Sequence, residues 1–191
     1  MIDLGPAAQQ MATLLDNVTD DQLSAPTPCP DYRLGDLIDH IGGLALAFTA
    51  AATKDPSMGE QAPSGDAARL EPGWRTRITD QLTALAEAWR APEAWQGMTR
   101  AGGIDLPGDV AGRVAVDELV LHGWDVARAT GQSFEVDPAA LQACLEFVTA
   151  MSTEDQESRD GLFGPIVEVP ADRPLLERVL GLSGRNPAWT A

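Results

Sequence analysis

The sequence predicts an all-α fold, a helical bundle, and three observations carry that prediction. Apolar residues recur at three-and-four spacing through five long segments. Pro- and Gly-rich connectors separate those segments, and strand signals are confined to short pieces such as Ile166 to Val169. The 191 residues are enough for one compact domain.

The first helix is expected after Asp3, whose carboxylate can cap it, with Leu4, Met11, Leu14, Leu15 and Val18 as its apolar stripe. From Thr19 to Tyr32 the chain turns polar and then proline-rich. Pro28-Cys29-Pro30 cannot be helical, because each proline biases its predecessor toward extended geometry, so this segment reads as a rigid connector. A second helix is expected from about Leu34 to Ala52, through Leu37, Ile38, Ile41, Leu44 and Phe48, with His40 in its first half. Gly42-Gly43 costs it about 1 kcal/mol of propensity per glycine, which a closely approaching neighbour would offset.

Lys54 to Gly73 is rich in Pro, Gly, Ser and Asp and reads as a mobile surface loop able to arch over one end of the bundle. Trp74, Ile78, Leu82, Leu85 and Trp89 mark a third helix closed by Ala91-Pro92, and an irregular stretch follows from Pro92 to Gly108. The fourth helix, from about Asp109 to Thr130, is apolar around much of its circumference, the mark of a central buried helix, and Gly131 is placed to stop it. Asp137-Pro138 opens a fifth helix with the stripe Leu141, Leu145, Val148 and Met151. An acidic stretch beyond Ser152 leads to a last short helix from Leu175 to Leu182. The expected organisation is a bundle with its site over 1–152 and a C-terminal extension, 153–191, packed on it.

Charge excludes some functions. Acidic residues outnumber basic ones 29 to 13, a formal charge of -16, and such a surface repels nucleic-acid phosphates and anionic lipid. The N-terminus lacks a basic leader, and no apolar run approaches the roughly 20 residues of a bilayer span, so a cytoplasmic location is expected. Cys29 and Cys144 are too few for a disulfide framework and are expected to stay reduced. Cys29 reads as a packed connector residue, Cys144 as core, and Trp74, Trp89 and Trp124 as packing residues.

The chain has two histidines, and both fall in apolar helices. Glu118 and His122 stand four apart on the fourth helix, so their side chains leave one face a turn apart and can reach one ion, to which His40 can add a third ligand. Two imidazoles and one carboxylate would leave coordination positions open for water or substrate. The same residues also fit a plain Glu–His hydrogen bond and a locally satisfied core histidine. An unpaired imidazole in an apolar helix is costly, which favours the metal.

Thr27-Pro28-Cys29-Pro30-Asp31-Tyr32, then Asp36-Leu37 and His40, then Glu118-Leu-Val-Leu-His122-Gly123-Trp124-Asp125-Val126-Ala127-Arg128-Ala129-Thr130-Gly131 resembles an actinobacterial branch of the DinB-like metal-binding superfamily. Relatives include the N-terminal domain of mycothiol-dependent maleylpyruvate isomerase. Phe163-Gly164-Pro165 and Gly184-Arg185-Asn186-Pro187 fit the branch's C-terminal pattern.

The resemblance implies a bundle of four core helices, here with an additional helix and a short C-terminal extension. It assigns the metal to His40, Glu118 and His122. It also implies a divalent ion, zinc first with nickel or another as alternatives, and a low-molecular-weight thiol such as mycothiol presented as a thiolate to an electrophile. Tyr32 and Arg33 depart from the branch, which commonly has Trp and a Ser or Thr cap there. The isomerase carries a further C-terminal domain that contributes to thiol binding, whereas this sequence stops at Ala191, so maleylpyruvate isomerisation itself is not expected.

The leading expectation is a metal- and thiol-dependent transferase or isomerase whose partners are a small thiol and a small electrophile, with a homodimer left open. The alternative is a non-catalytic metal-binding structural or sensor module. Metal-assisted hydrolysis ranks last, since it needs a separate base and only Asp39 and Asp125 are near in sequence. Arg185 is a candidate for binding an anionic group of the thiol or substrate. Asp125 and Arg128 read either as an ion pair or as residues facing the pocket.

Overall fold

The structure, a computed structural model, describes residues 1–55, 61–153, 159 and 162–191. Among the described residues the helices whose bounds are defined are α1 (Gly5–Asp16), α2 (Leu34–Thr53), α3 (Trp74–Ala88), α4 (Gly108–Thr130), α5 (Pro138–Met151) and α6 (Leu175–Leu182). The fold is all-α and DinB-like. α1 and α2 each pack on both α3 and α4, α5 lies against α4, and α6 lies against α5. Four helices thus share a core in which Leu15, Leu37, Ile38, Ile78, Leu82 and Val116 are fully buried.

Local hydrogen bonds mark the starts of α1, α2 and α5. The Asp3 carboxylate accepts the Gly5 N–H at 2.9 Å, although Leu4 occupies the capping position. Asp36 accepts the Arg33 N–H at 3.3 Å, which ties down the start of α2 in place of a Ser or Thr cap. Asp137 accepts the N–H groups of both Ala139 and Ala140 at 3.0 Å to open α5. Gly131, at φ 70°, closes α4 in the left-handed conformation that only glycine takes without strain. On α5 the buried stripe is Ala140, Cys144 and Val148, while Leu141, Leu145 and Met151 are only half-buried, so the helix is rotated slightly from the expected face.

Three sequence expectations are corrected. The stretch from Pro92 to Gly108 is ordered: a 3-10 turn (Pro92–Trp95) leads into an antiparallel hairpin of β1 (Met98–Ala101) and β2 (Ile104–Pro107). Gly102 and Gly103, at φ 58° and 81°, supply the positive φ at both central positions that a two-residue hairpin turn needs. Ile166 to Val169, by contrast, forms no strand; Val167 donates to Gly181 O at 2.9 Å, and no ladder continues from it.

The third correction concerns α2. With 20 residues and a mean hydropathy of 1.2 it is long and apolar enough to cross a membrane by length and composition, against the expectation that no such run exists. Of that stretch 61% is buried inside the bundle, and Asp36, Asp39 and His40 interrupt its first half, the pattern of a central core helix. Parts of two expected features, the middle of the loop from Lys54 to Gly73 and most of the acidic stretch after Ser152, lie outside the described residues.

Candidate metal centre

The site lies where the first half of α2 faces the second half of α4. One ligand atom from each of His40, Glu118 and His122 lies within 4.8 Å of the others, and the two imidazole rings meet edge to face at 5.2 Å between centroids. Glu118 and His122 share a face of α4 because they are one turn apart. His122 is buried, while a quarter of the Glu118 side chain (25%) is exposed, so the cluster sits at the rim of the core.

Each histidine has one nitrogen committed elsewhere. Nδ1 of His40 lies 2.9 Å from Pro63 O; a carbonyl can only accept, so Nδ1 carries the proton and Nε2 keeps its lone pair. Nδ1 of His122 lies 3.0 Å from Asp125 Oδ2, and its Nε2 lies 3.0 Å from Glu118 Oε2. A carbonyl or carboxylate behind each imidazole fixes tautomer and ring orientation, which is the usual support for a metal-bound histidine. The donor set of two imidazole nitrogens and a carboxylate suits a divalent ion such as zinc.

Electrostatics follow from this packing. Burial disfavours charge on His122, but the hydrogen bonds to Asp125 and Glu118 outweigh it and lift its pKa to about 9. Burial would raise Glu118, yet the His122 hydrogen bond and the nearby imidazoles hold it below the ordinary carboxylate value. His40 is pushed down by burial and then by the His122 charge. With no ion bound, a proton on His122 therefore occupies the gap between the two side chains of α4.

The described part of the loop before α3 is fastened over this region. Asp36 Oδ1 accepts the Ala67 N–H at 2.8 Å, and Asp39 Oδ2 accepts from Asp66 N at 3.1 Å and Arg69 Nε at 2.8 Å. Gly65 is needed there, since a Cβ would stand 2.2 Å from Asp36 O, and Gly43 admits Pro63 in the same way at 2.7 Å. The compensation for Gly43 is thus a proline ring. Tyr32 covers His40 at 4.9 Å between ring centroids, and its hydroxyl lies 3.4 Å from the Gly65 N–H.

Arg185 is buried, and its guanidinium bonds both carboxylate oxygens of Asp125, with Nη2–Oδ2 at 2.9 Å. Asp125 thus supports His122 and neutralises Arg185; Arg128 instead lies over the Trp124 ring and donates to Trp189 O. Asp39 and Asp125, named as bases for hydrolysis, are both committed to hydrogen bonds. Cys29 lies near His122 and Asp125, but burial and then the Asp125 charge raise its pKa to about 11, so it is a neutral thiol. Thr27 Oγ1, 2.9 Å from Cys29 O and 2.8 Å from Tyr32 O, fixes that connector. Sequence reasoning missed Pro63, whose contribution is a backbone carbonyl and leaves no residue-type signal.

A family model described as the mycothiol maleylpyruvate isomerase N-terminal domain matches residues 4–127. Two uncharacterized proteins of Mycobacterium tuberculosis, from strains CDC 1551 / Oshkosh and ATCC 25618 / H37Rv, are each 27% identical to the chain over 181 residues, which is 94% of this chain and 94% of the relative. The crystal structure of the mycothiol-dependent maleylpyruvate isomerase superposes with a TM-score of 0.57 at 15% identity, over 80% of this chain and 70% of that one. A histidine-to-alanine mutant of that isomerase gives 0.56 at 15% identity, over 76% and 66% of the two chains. At this identity the likeness shows the fold.

Proposed function

Because the chain belongs to the mycothiol maleylpyruvate isomerase N-terminal domain family, we propose that it holds one divalent metal ion, zinc first, through His40 Nε2, Glu118 and His122 Nε2, and uses a small thiol such as mycothiol in a transferase or isomerase reaction. The observation that carries this reading is the convergence of the three ligand atoms within 4.8 Å, with the other nitrogen of each histidine already bonded to a carbonyl or carboxylate. A bound divalent ion favours the thiolate form of a coordinated thiol, and the thiolate is the nucleophile.

The chain's own residues do the rest. Pro63 and Asp125 bond Nδ1 of His40 and of His122, which leaves the Nε2 atoms for the ion; Nε2 of His122 would exchange its contact with Glu118 Oε2, 3.0 Å away, for a shared bond to the metal. Glu118 is the partly exposed member on α4, with a quarter (25%) of its side chain open to solvent. Tyr32 and the fastened loop shield His40 from water. The further extension of this reading is that residues 1–152 form the metal-bearing bundle and 153–191 brace it, since Arg185 reaches Asp125 from the tail.

Metal analysis of the purified protein, with mycothiol affinity measured on metal-loaded and metal-stripped forms, tests the proposal. The expected result is one ion per chain and thiol binding that disappears with the metal. His122→Ala is expected to lose the ion; full metal stoichiometry in that variant would remove the site assignment. Metal without thiol binding would leave a non-catalytic metal module.

A further inference from the structure

The first half of α2 carries more than a candidate ligand. Asp36, Asp39, His40 and Gly43 follow one another at three-and-four spacing and so share one face of the helix. Residues 63–69 form a strap along that face. Pro63 fits against Gly43, Pro63 O faces His40 Nδ1 at 2.9 Å, Asp66 N donates to Asp39 Oδ2 at 3.1 Å, and Ala67 N donates to Asp36 Oδ1 at 2.8 Å. The strap and the ligand His40 use the same face of α2, and the Pro63 carbonyl joins them directly.

Those bonds are made by the main chain of the strap. Arg69 differs: among the described strap residues it alone reaches α2 through a side-chain hydrogen bond. Its Nε donates to Asp39 Oδ2 at 2.8 Å, its Nη2 lies 2.6 Å from the same oxygen, and Nη2 also donates to Ser64 O. One guanidinium therefore ties the far end of the strap to α2 and to Ser64, the residue that directly follows Pro63. Half of the Arg69 side chain (50%) is open to solvent, against 11% of Asp39. An ion pair with an exposed partner adds little to global stability, so it can break without unfolding the bundle.

The joint at Pro63 acts in both directions. His40 with an ion on Nε2 is a stronger Nδ1–H donor, which tightens its bond to Pro63 O, and a strap held down keeps the His40 ring in its ligating orientation. Coupling of this kind is reciprocal: whatever the ion adds to strap closure, strap closure adds to ion affinity. Resting on the metal reading above, we propose that Arg69 is a positioning residue for the metal centre and the latch of the strap. Fastened to Asp39 and Ser64, it holds the Pro63 carbonyl on His40, and its release lets the ion leave.

NMR of the nitrogen-labelled full chain tests this, helped by there being two histidines to resolve. The readouts are hydrogen exchange at the Asp66 and Ala67 amides, the His40 Nδ1–H resonance, and the rate at which excess chelator strips zinc. Zinc is expected to slow exchange at those two amides at least about fivefold. Arg69→Ala is expected to abolish that protection, to broaden the His40 Nδ1–H resonance while leaving that of His122 sharp, and to speed zinc loss about three- to tenfold, less than removal of a direct partner gives. The zinc-free variant should unfold at the same midpoint as the parent, which separates positioning from a structural role. Arg69→Lys keeps the charge without the fork, serves should the alanine variant fail to fold, and is expected to fall between the two.

Equal exchange at Asp66 and Ala67 with and without zinc overturns the proposal, as does a parent-like His40 resonance with parent-like zinc loss in a folded Arg69→Ala protein. The two readings fail distinguishably. A parent that binds zinc but shows no change in the strap loses only the latch, whereas a parent that binds no zinc loses the metal reading and the latch with it.

Discussion

Asp125 and Arg185 form a buried pair in which Nε and Nη2 of the guanidinium lie 3.0 and 2.9 Å from the two oxygens of the carboxylate. The second oxygen also faces Nδ1 of His122 at 3.0 Å. A residue of the C-terminal tail is thereby joined through one carboxylate to a candidate metal ligand in the middle of α4. The Arg185 charge, next after burial among the influences on Asp125, keeps that carboxylate ionised, and an ionised Asp125 is what orients the imidazole.

Asp125→Asn should weaken zinc binding by about 10- to 100-fold, the usual effect of losing the carboxylate behind a metal-bound histidine. Competition against a chelating dye measures it. Affinity within a factor of two of the parent would mean that Asp125 serves only to neutralise Arg185.

Metal binding should release protons. His122 has its pKa raised to about 9 in the ion-free protein, so at pH 7 its Nε2 carries a proton that an arriving ion must displace, whereas His40 is shifted down and is already neutral. About one proton per ion is expected at pH 7, and zinc affinity should fall about tenfold for each unit of pH below 9 until Glu118 also protonates. Calorimetry in buffers of different ionisation enthalpy counts the protons, and a count of zero contradicts the placement.

Asp117 predicts the pH dependence of stability. Its carboxyl is buried and pushed up to about 8 by burial and then by the Glu118 charge, and its Oδ1 has no hydrogen-bond partner among the described residues. An acid whose folded pKa is raised contributes stability that is full below its unfolded value near 4 and is lost as pH rises through about 8. Ion-free protein should therefore lose on the order of 2–5 kcal/mol between pH 5 and pH 9 that Asp117→Asn does not lose. Urea unfolding of both proteins at the two pH values decides it, and parallel curves would show that Asp117 is ionised in the fold.

Gly184→Ala should destabilise by about 1–3 kcal/mol, because φ there is 85° and a Cβ would stand 2.7 Å from the Gly164 backbone. The same strain should draw Arg185 away from Asp125 and lower zinc affinity. Parent-like stability would mean that the tail can shift without cost.

Much of this molecule is legible in its residues, for physical reasons that differ by element. α2, α4 and α6 could be placed within a residue or so because their apolar periodicity is long and their ends carry Asp36, Gly131 and the Leu175 to Leu182 run. The hairpin was lost because four-residue strands carry little periodicity, although Gly102-Gly103 was the available signal for a two-residue turn. Asp125 was ambiguous because Arg128, one turn away, was the obvious partner, while its actual partner is separated by 60 residues of sequence. The convergence of His40 with Glu118 and His122 could be guessed from a shared apolar setting, but the carbonyl of Pro63 could not.

The two histidines therefore differ in how they withstand mutation. The group behind His40 is a main-chain carbonyl, which every amino acid supplies, so position 63 can drift without removing the hydrogen bond as long as the loop keeps its path beside Gly43. The group behind His122 is a side chain that itself needs Arg185, so a single substitution at either of two distant codons undoes it. Sequence variation that leaves the site intact should accumulate in the loop and be scarce at positions 125 and 185.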